Sequence, residues 1–168
     1  MVTVGAVGII AIAVASFFYL GKQEQRFLGR LDGTMLQEFV FHDAEGDTVQ
    51  VRPERTTVML FWATWSERSL DSLYDLYKWH DNYPQYEIIA AYVKDAPEFA
   101  RAHDRAEQEN HRLLDGTPAY QDLRVPGVPT AIIFDESGTV RSTEIGARAV
   151  PAWHELSTRG ELQSGMIP

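Results

Sequence analysis

Six consecutive residues, Thr57-Val58-Met59-Leu60-Phe61-Trp62, are β-branched, apolar or aromatic with no charge among them. A strand with one wet face would alternate between apolar and polar side chains. An unbroken run of this length therefore reads as a strand buried on both faces of a sheet. An α/β architecture, a central sheet with helices packed against it, meets that requirement.

The neighbouring sequence supplies the other layers. Beyond Trp65, residues Leu70, Leu73, Tyr74 and Tyr77 fall at i, i+3, i+4 and i+7, which predicts a helix from about residue 66 to residue 80 with these four on one face. Residues 87–93 form a second run of the buried-strand type. Pro97 then opens a charged segment to Asn110 whose narrow stripe of Phe99, Ala102 and Ala106 predicts a helix covering the sheet. Phe39-Val40-Phe41, a turn-prone Asp43-Ala44-Glu45-Gly46-Asp47 and residues 48–51 read as an N-terminal β-hairpin. Residues 131–134, the turn Asp135-Glu136-Ser137-Gly138 and residues 140–145 read as a second hairpin, with a short helix around residues 153–158. There is no internal repeat and no low-complexity tract.

The ends divide the chain further. Residues 2–20 contain no charge in 19 positions, and at ~1.5 Å per residue such a helix roughly matches a ~30 Å hydrocarbon core. Residues 1–20 are expected to be a single-pass membrane anchor. A cleavable signal peptide is the rival, but no basic stretch precedes the run and Phe17 to Leu20 continue it past the small Ala13-Val14-Ala15. Residues 21–34, with Gly21, Gly29 and Gly33, read as a juxtamembrane linker. Residues 35–160 are long enough for one domain with a core, and 161–168 form a tail. Lys22, Arg26 and Arg30 follow the apolar run, and counted alone they would place that domain in the cytoplasm. The net charge of -9 disfavours a nucleic-acid partner, because phosphate backbones would be repelled.

The candidate chemistry sits just after the buried run, in Phe61-Trp62-Ala63-Thr64-Trp65-Ser66-Glu67-Arg68-Ser69. Ser66 stands at the predicted helix start, where its oxygen caps exposed N–H groups, a contribution of about 1 kcal/mol. A nucleophilic Ser66 would need an oriented base, and no local pattern supplies one: His80 is roughly 20 Å along the same helix. His42, His103, His111 and His154 are scattered and form no metal-ligating spacing, so neither a metal nor a cofactor is expected. The chain contains no cysteine.

The order of strand, Trp-Ala-Thr-Trp, helix, strand, helix and then Gly127-Val128-Pro129-Thr130 before a hairpin resembles the membrane-anchored thioredoxin-like proteins of the TlpA and ResA type. The likeness covers roughly residues 35–158, and residues 144–156 also resemble the methylamine-utilisation accessory branch of that superfamily. It implies a thioredoxin-like fold, a central mixed sheet flanked by helices, with the soluble domain outside the cytoplasm, against the charge count. It also implies that Ser66 and Ser69 occupy the places of the two redox cysteines. A serine hydroxyl cannot carry thiol–disulfide exchange, which needs a thiolate. Further departures accompany the serines: Leu60 where many relatives have an acid or amide, Ser72 where Glu is frequent, and Tyr74 where a proline kinks the helix.

The resemblance further implies a cis bond before Pro129 and a peptide-docking shelf made by Trp65, the first helical turn with Glu67 and Arg68, and Val128, Pro129 and Thr130. The partner expected there is a protein or an extended peptide, paired in a strand-like manner. Three functional readings remain. One is a membrane-tethered, redox-inactive docking domain; the second is a TlpA/ResA-type thiol–disulfide oxidoreductase in a cysteine-to-serine form; the third is a structural subunit of a membrane complex.

Overall fold

A computed structural model describes residues 19, 21–103 and 111–164 of the chain. Its seven strands form one mixed sheet in the order β2-β1-β5-β4-β3-β6-β7. These are β1 (Phe41–His42), β2 (Thr48–Val49), β3 (Thr57–Trp62), β4 (Glu87–Tyr92), β5 (His111–Asp115), β6 (Thr130–Phe134) and β7 (Val140–Ile145). The central strand β3 runs parallel to β4 and antiparallel to β6, with Phe61 opposite Ala91 on one side and Thr130 on the other. β6 and β7 pair antiparallel, as do β1 and β2.

All six residues of β3 are buried, and the period of two along the strand divides them between two cores. Val58, Leu60 and Trp62 meet Leu73, Leu76, Tyr77 and Trp153 on one face. Met59, Phe61 and Ala63 meet Phe27, Phe41 and Phe134 on the other. The first face is covered by helices α2 (Glu67–Asn82) and α5 (Ala149–Ser164), tied together where Trp153 Nε1 donates to Asp75 Oδ2 at 2.9 Å. The second face carries helix α1, residues 21–31, and α4 (Thr117–Leu123).

Several expectations are corrected. Residues 21–31, read as linker, are helical and place Phe27 and Leu31 in the core, so the packed body begins before residue 35. Two apolar side chains one turn apart are enough to dock this helix, whose other positions are exposed or half-buried. The helix expected over residues 97–110 is described only as α3 (Pro97–Arg101), residues 104–110 lying outside the described residues. Its buried side chain is Ala100, whereas Phe99 and Ala102 of the expected stripe are exposed. On α2 the buried face runs through Ser69, Ser72, Leu73, Leu76 and Tyr77, which turns Tyr74 outward to 43% exposure. Of the tail expected over 161–168, residues up to Ser164 continue α5 and the rest lie outside the described residues. The expected membrane anchor, residues 1–20, also falls almost wholly outside them; among the described residues no helix is long and apolar enough to cross a membrane.

Candidate functional site

β3 ends at Trp62 and hands the chain to Ala63-Thr64-Trp65-Ser66 at one end of the sheet. Because β6 is antiparallel to β3 and starts with Thr130 opposite Phe61, the segment Gly127-Val128-Pro129 enters the sheet at that same end, one strand away. The register thus makes the two segments singled out in the sequence neighbours.

Ser66 is the N-cap of α2, with extended backbone at φ -116 and ψ 103. Its hydroxyl accepts from Ser69 N–H at 3.3 Å, and its carbonyl accepts from Ser69 N–H at 2.9 Å and Leu70 N–H at 3.1 Å. Ser69 lies one turn on and is fully buried, and its own Oγ has no hydrogen-bond partner. Burying a hydroxyl unpaired costs about 1–3 kcal/mol, so position 69 is better suited to a small apolar or sulfur-bearing side chain than to serine. Ser72 is also buried, yet its hydroxyl is used locally, donating to the Arg68 carbonyl at 3.0 Å. Leu60 is sealed in the core beneath the site.

Trp65, Glu67 and Arg68 all face solvent, Trp65 with 62% of its surface exposed. By contrast Trp62 is fully buried, in a T-shaped contact with the His103 ring at 6.2 Å between centroids. The loop is held by a residue that sequence reasoning did not single out: Asp95, beyond β4, accepts from Thr64 N–H through Oδ2 at 2.7 Å and from Ala96 N–H through Oδ1 at 3.1 Å. An acid two residues before Pro97 signals a helix start; its tie to Thr64, 31 residues away, has no local signal.

Across from this loop, the Val128–Pro129 peptide bond is cis. Pro129 and Thr130 are buried, and both are committed to the fold. The Pro129 carbonyl accepts from Gly146 N–H at 2.8 Å, and the Thr130 hydroxyl donates to the Gly127 carbonyl at 2.8 Å. Val128 is half-buried, and among the described residues its main-chain N–H and C=O are unpaired. Of the three loop residues proposed from sequence, Val128 is therefore the one with main chain to offer. Among the described residues no cluster of His, Asp or Glu is grouped to hold a metal ion.

No family model matches the sequence and no curated protein matches it. Solved structures do resemble the fold. DsbF of MTB superposes with a TM-score of 0.60 at 16% identity, covering 74% of this chain and 95% of that one. A secreted Mycobacterium tuberculosis disulfide oxidoreductase homologous to E. coli DsbE gives 0.58 at 17% identity, over 74% and 94% of the two chains. StoA from Bacillus subtilis gives 0.53 at 15% identity, over 71% and 95%. The chain accordingly has the thioredoxin-like α/β fold, a mixed sheet flanked by helices, shared with thiol–disulfide oxidoreductases but here without a cysteine.

Proposed function

We propose that the chain is a membrane-tethered, redox-inactive thioredoxin-like domain that docks an extended peptide or protein partner at the Trp65 end of its sheet. The observation that carries this reading is the unpaired main chain of Val128, in the loop at the end of the sheet from which the exposed Trp65 projects. An extended segment would exchange hydrogen bonds with Val128, while Trp65 and the aliphatic stems of Glu67 and Arg68 would cover its side chains. No cysteine is present to convert docking into a mixed disulfide. The tether is the uncharged run of residues 2–20, and the resemblance to TlpA and ResA proteins supports a domain on the outer side of the cytoplasmic membrane.

Site-specific photocrosslinking in cells tests this. A photoreactive residue at position 65 or 128 should trap a partner, and one at Arg141, on the exposed part of β7, should not. Equal adduct yields from position 141 would sink the docking site. Protease added to intact spheroplasts should degrade the domain, and full protection until lysis would reverse the topology.

A second reading is favoured by the buried, unpartnered Ser69 hydroxyl. That site suits a cysteine, as in an oxidoreductase whose two cysteines have been exchanged for serine. The natural coding sequence at positions 66 and 69 decides between the two readings.

A further inference from the structure

The chain carries 24 acidic side chains against 15 lysines and arginines, yet one pocket reverses that balance. A cavity of about 440 Å³ between α1, the end of β4 and α4 is lined by Arg26, Arg30, Lys94 and Arg124 with no acidic residue in its wall. Gln23 and Tyr120 also line it. Among the described residues none of the four cations forms a salt bridge.

The bland account is that these are solvated surface charges, with Arg30 capping α4. Arg30 Nη1 does donate to the Leu123 carbonyl at 3.0 Å. That spends one of five guanidinium donors on one of the four residues. It leaves unexplained why the others converge. Lys94 is fixed by its ammonium lying 5.2 Å from the centre of the Tyr120 ring and by its N–H donating to Thr117 Oγ1 at 2.9 Å. Lys94 and Arg124 are also the two described non-glycine residues with left-handed backbone, at φ 51 and φ 52. At Arg124 this is the left-handed C-cap that ends α4, and it turns the chain so that Arg124 lines the pocket.

We propose that this pocket binds a phosphate-bearing organic anion. Four cations without an acidic partner exceed what the two oxygens of a single carboxylate would use, whereas a phosphate accepts from several guanidinium groups at once. The volume falls in the range of small-molecule sites, so the ligand carries an organic moiety alongside the phosphate. Two sources share this chemistry, a soluble phosphate ester and a lipid headgroup. Arg26 lies six residues past Leu20, about 9 Å along a helix, close to the outer edge of a headgroup layer roughly 5–8 Å deep if residues 1–20 span the membrane. The proposal does not depend on the peptide-docking site, since no lining residue belongs to it.

The test is calorimetric titration of the full chain in neutral detergent with glycerol 3-phosphate, with dihexanoyl phosphatidylglycerol below its micelle concentration, and with succinate. Binding of either phosphate compound, falling as salt is raised and weaker by about tenfold or more in Arg26→Gln/Arg124→Gln, is the expected result. Preference between the two assigns the source. Lys78→Gln/Arg141→Gln removes the same charge elsewhere and should leave affinity within about threefold. The proposal is overturned if succinate binds as tightly as the phosphate compounds. It is equally overturned if none binds in the millimolar range, or if the pocket and control variants weaken binding alike.

Discussion

Ser69 donates its main-chain N–H to the hydroxyl of Ser66 at 3.3 Å, while its own hydroxyl is buried with no partner. The two serines, which the family resemblance aligns with a cysteine pair, are thus energetically opposite. Ser66 satisfies a helix end, and Ser69 leaves a polar atom stranded.

Ser66→Ala should destabilise the domain by about 1 kcal/mol through loss of the cap. Ser69→Ala should be neutral or stabilising by up to about 1 kcal/mol, because it removes an unpaired buried hydroxyl and almost no volume. Urea unfolding of the full chain in neutral detergent, followed by near-ultraviolet circular dichroism, reads both. A loss greater than about 1 kcal/mol in Ser69→Ala would mean that the hydroxyl has a partner.

Ser66→Cys/Ser69→Cys should give a pair that oxidises under mild conditions. A cap and the residue three beyond it, closed by the 2.9 Å contact of Ser69 N–H with the Ser66 carbonyl, lie within the ~4.4–6.8 Å Cα separation that a disulfide spans. The helix N-terminus would also stabilise the thiolate at position 66. Mass spectrometry should show a loss of two hydrogens, and insulin reduction, absent in the cysteine-free chain, should become measurable. Free thiols alone after oxidation would contradict the placement of α2.

What the sequence made legible was whatever rests on local periodicity. The all-buried run of Thr57–Trp62, the cap at Ser66 and the hairpin of β6 and β7 are each written in a handful of adjacent residues. The helix of residues 21–31 was not, because Phe27 and Leu31 are the two residues it buries and three glycines surround them. β5 and α4 carry equally little local signal. Leu114 is the one buried residue of β5, although Gly116-Thr117-Pro118 carries the proline of a helix start. Arg26 and Arg30 were read as a topology signal. Their meeting with Lys94 and Arg124 is a product of tertiary packing that no window of sequence contains.

Asp95→Ala should loosen the Trp65 loop, since it deletes the acceptor for Thr64 N–H. Hydrogen exchange at the Thr64 amide should quicken by about tenfold, with β3 unchanged. Asp95→Asn keeps a side-chain oxygen in place and should fall between the two. Unchanged protection at Thr64 in Asp95→Ala would show that the loop is held by other means.

Gly116→Ala should destabilise by about 1–3 kcal/mol. An added methyl would lie 2.8 Å from Ala91 Cβ and 3.1 Å from the Phe61 ring, both on the strands that carry the site. Neither neighbour has a flexible end to move aside. Wild-type stability in this variant would place β5 and α4 farther from β3 and β4 than the structure has them.

Glu87 is buried at the start of β4 with Arg112 Nε 2.9 Å from its Oε1. That oxygen nevertheless has no aligned hydrogen-bond donor, so the contact is close in distance but poor in direction. Burial raises the Glu87 pKa above the ordinary carboxylate value, and this outweighs the opposing pull of the Arg112 charge. Between the unfolded and the folded pKa, the folded state holds a proton that the unfolded chain has released. Its contribution to stability is complete below the unfolded pKa and is lost as pH rises through the folded one. Glu87→Gln should flatten that decline and hold or raise the unfolding midpoint at neutral pH. Arg112 would not be left stranded, because 47% of its side chain is already in water. Thermal unfolding of both proteins from pH 4 to pH 8 makes the comparison. If the variant instead loses more than about 1 kcal/mol at pH 7, the ion pair with Arg112 gains more than burial costs, and Glu87 is a stabilising charge.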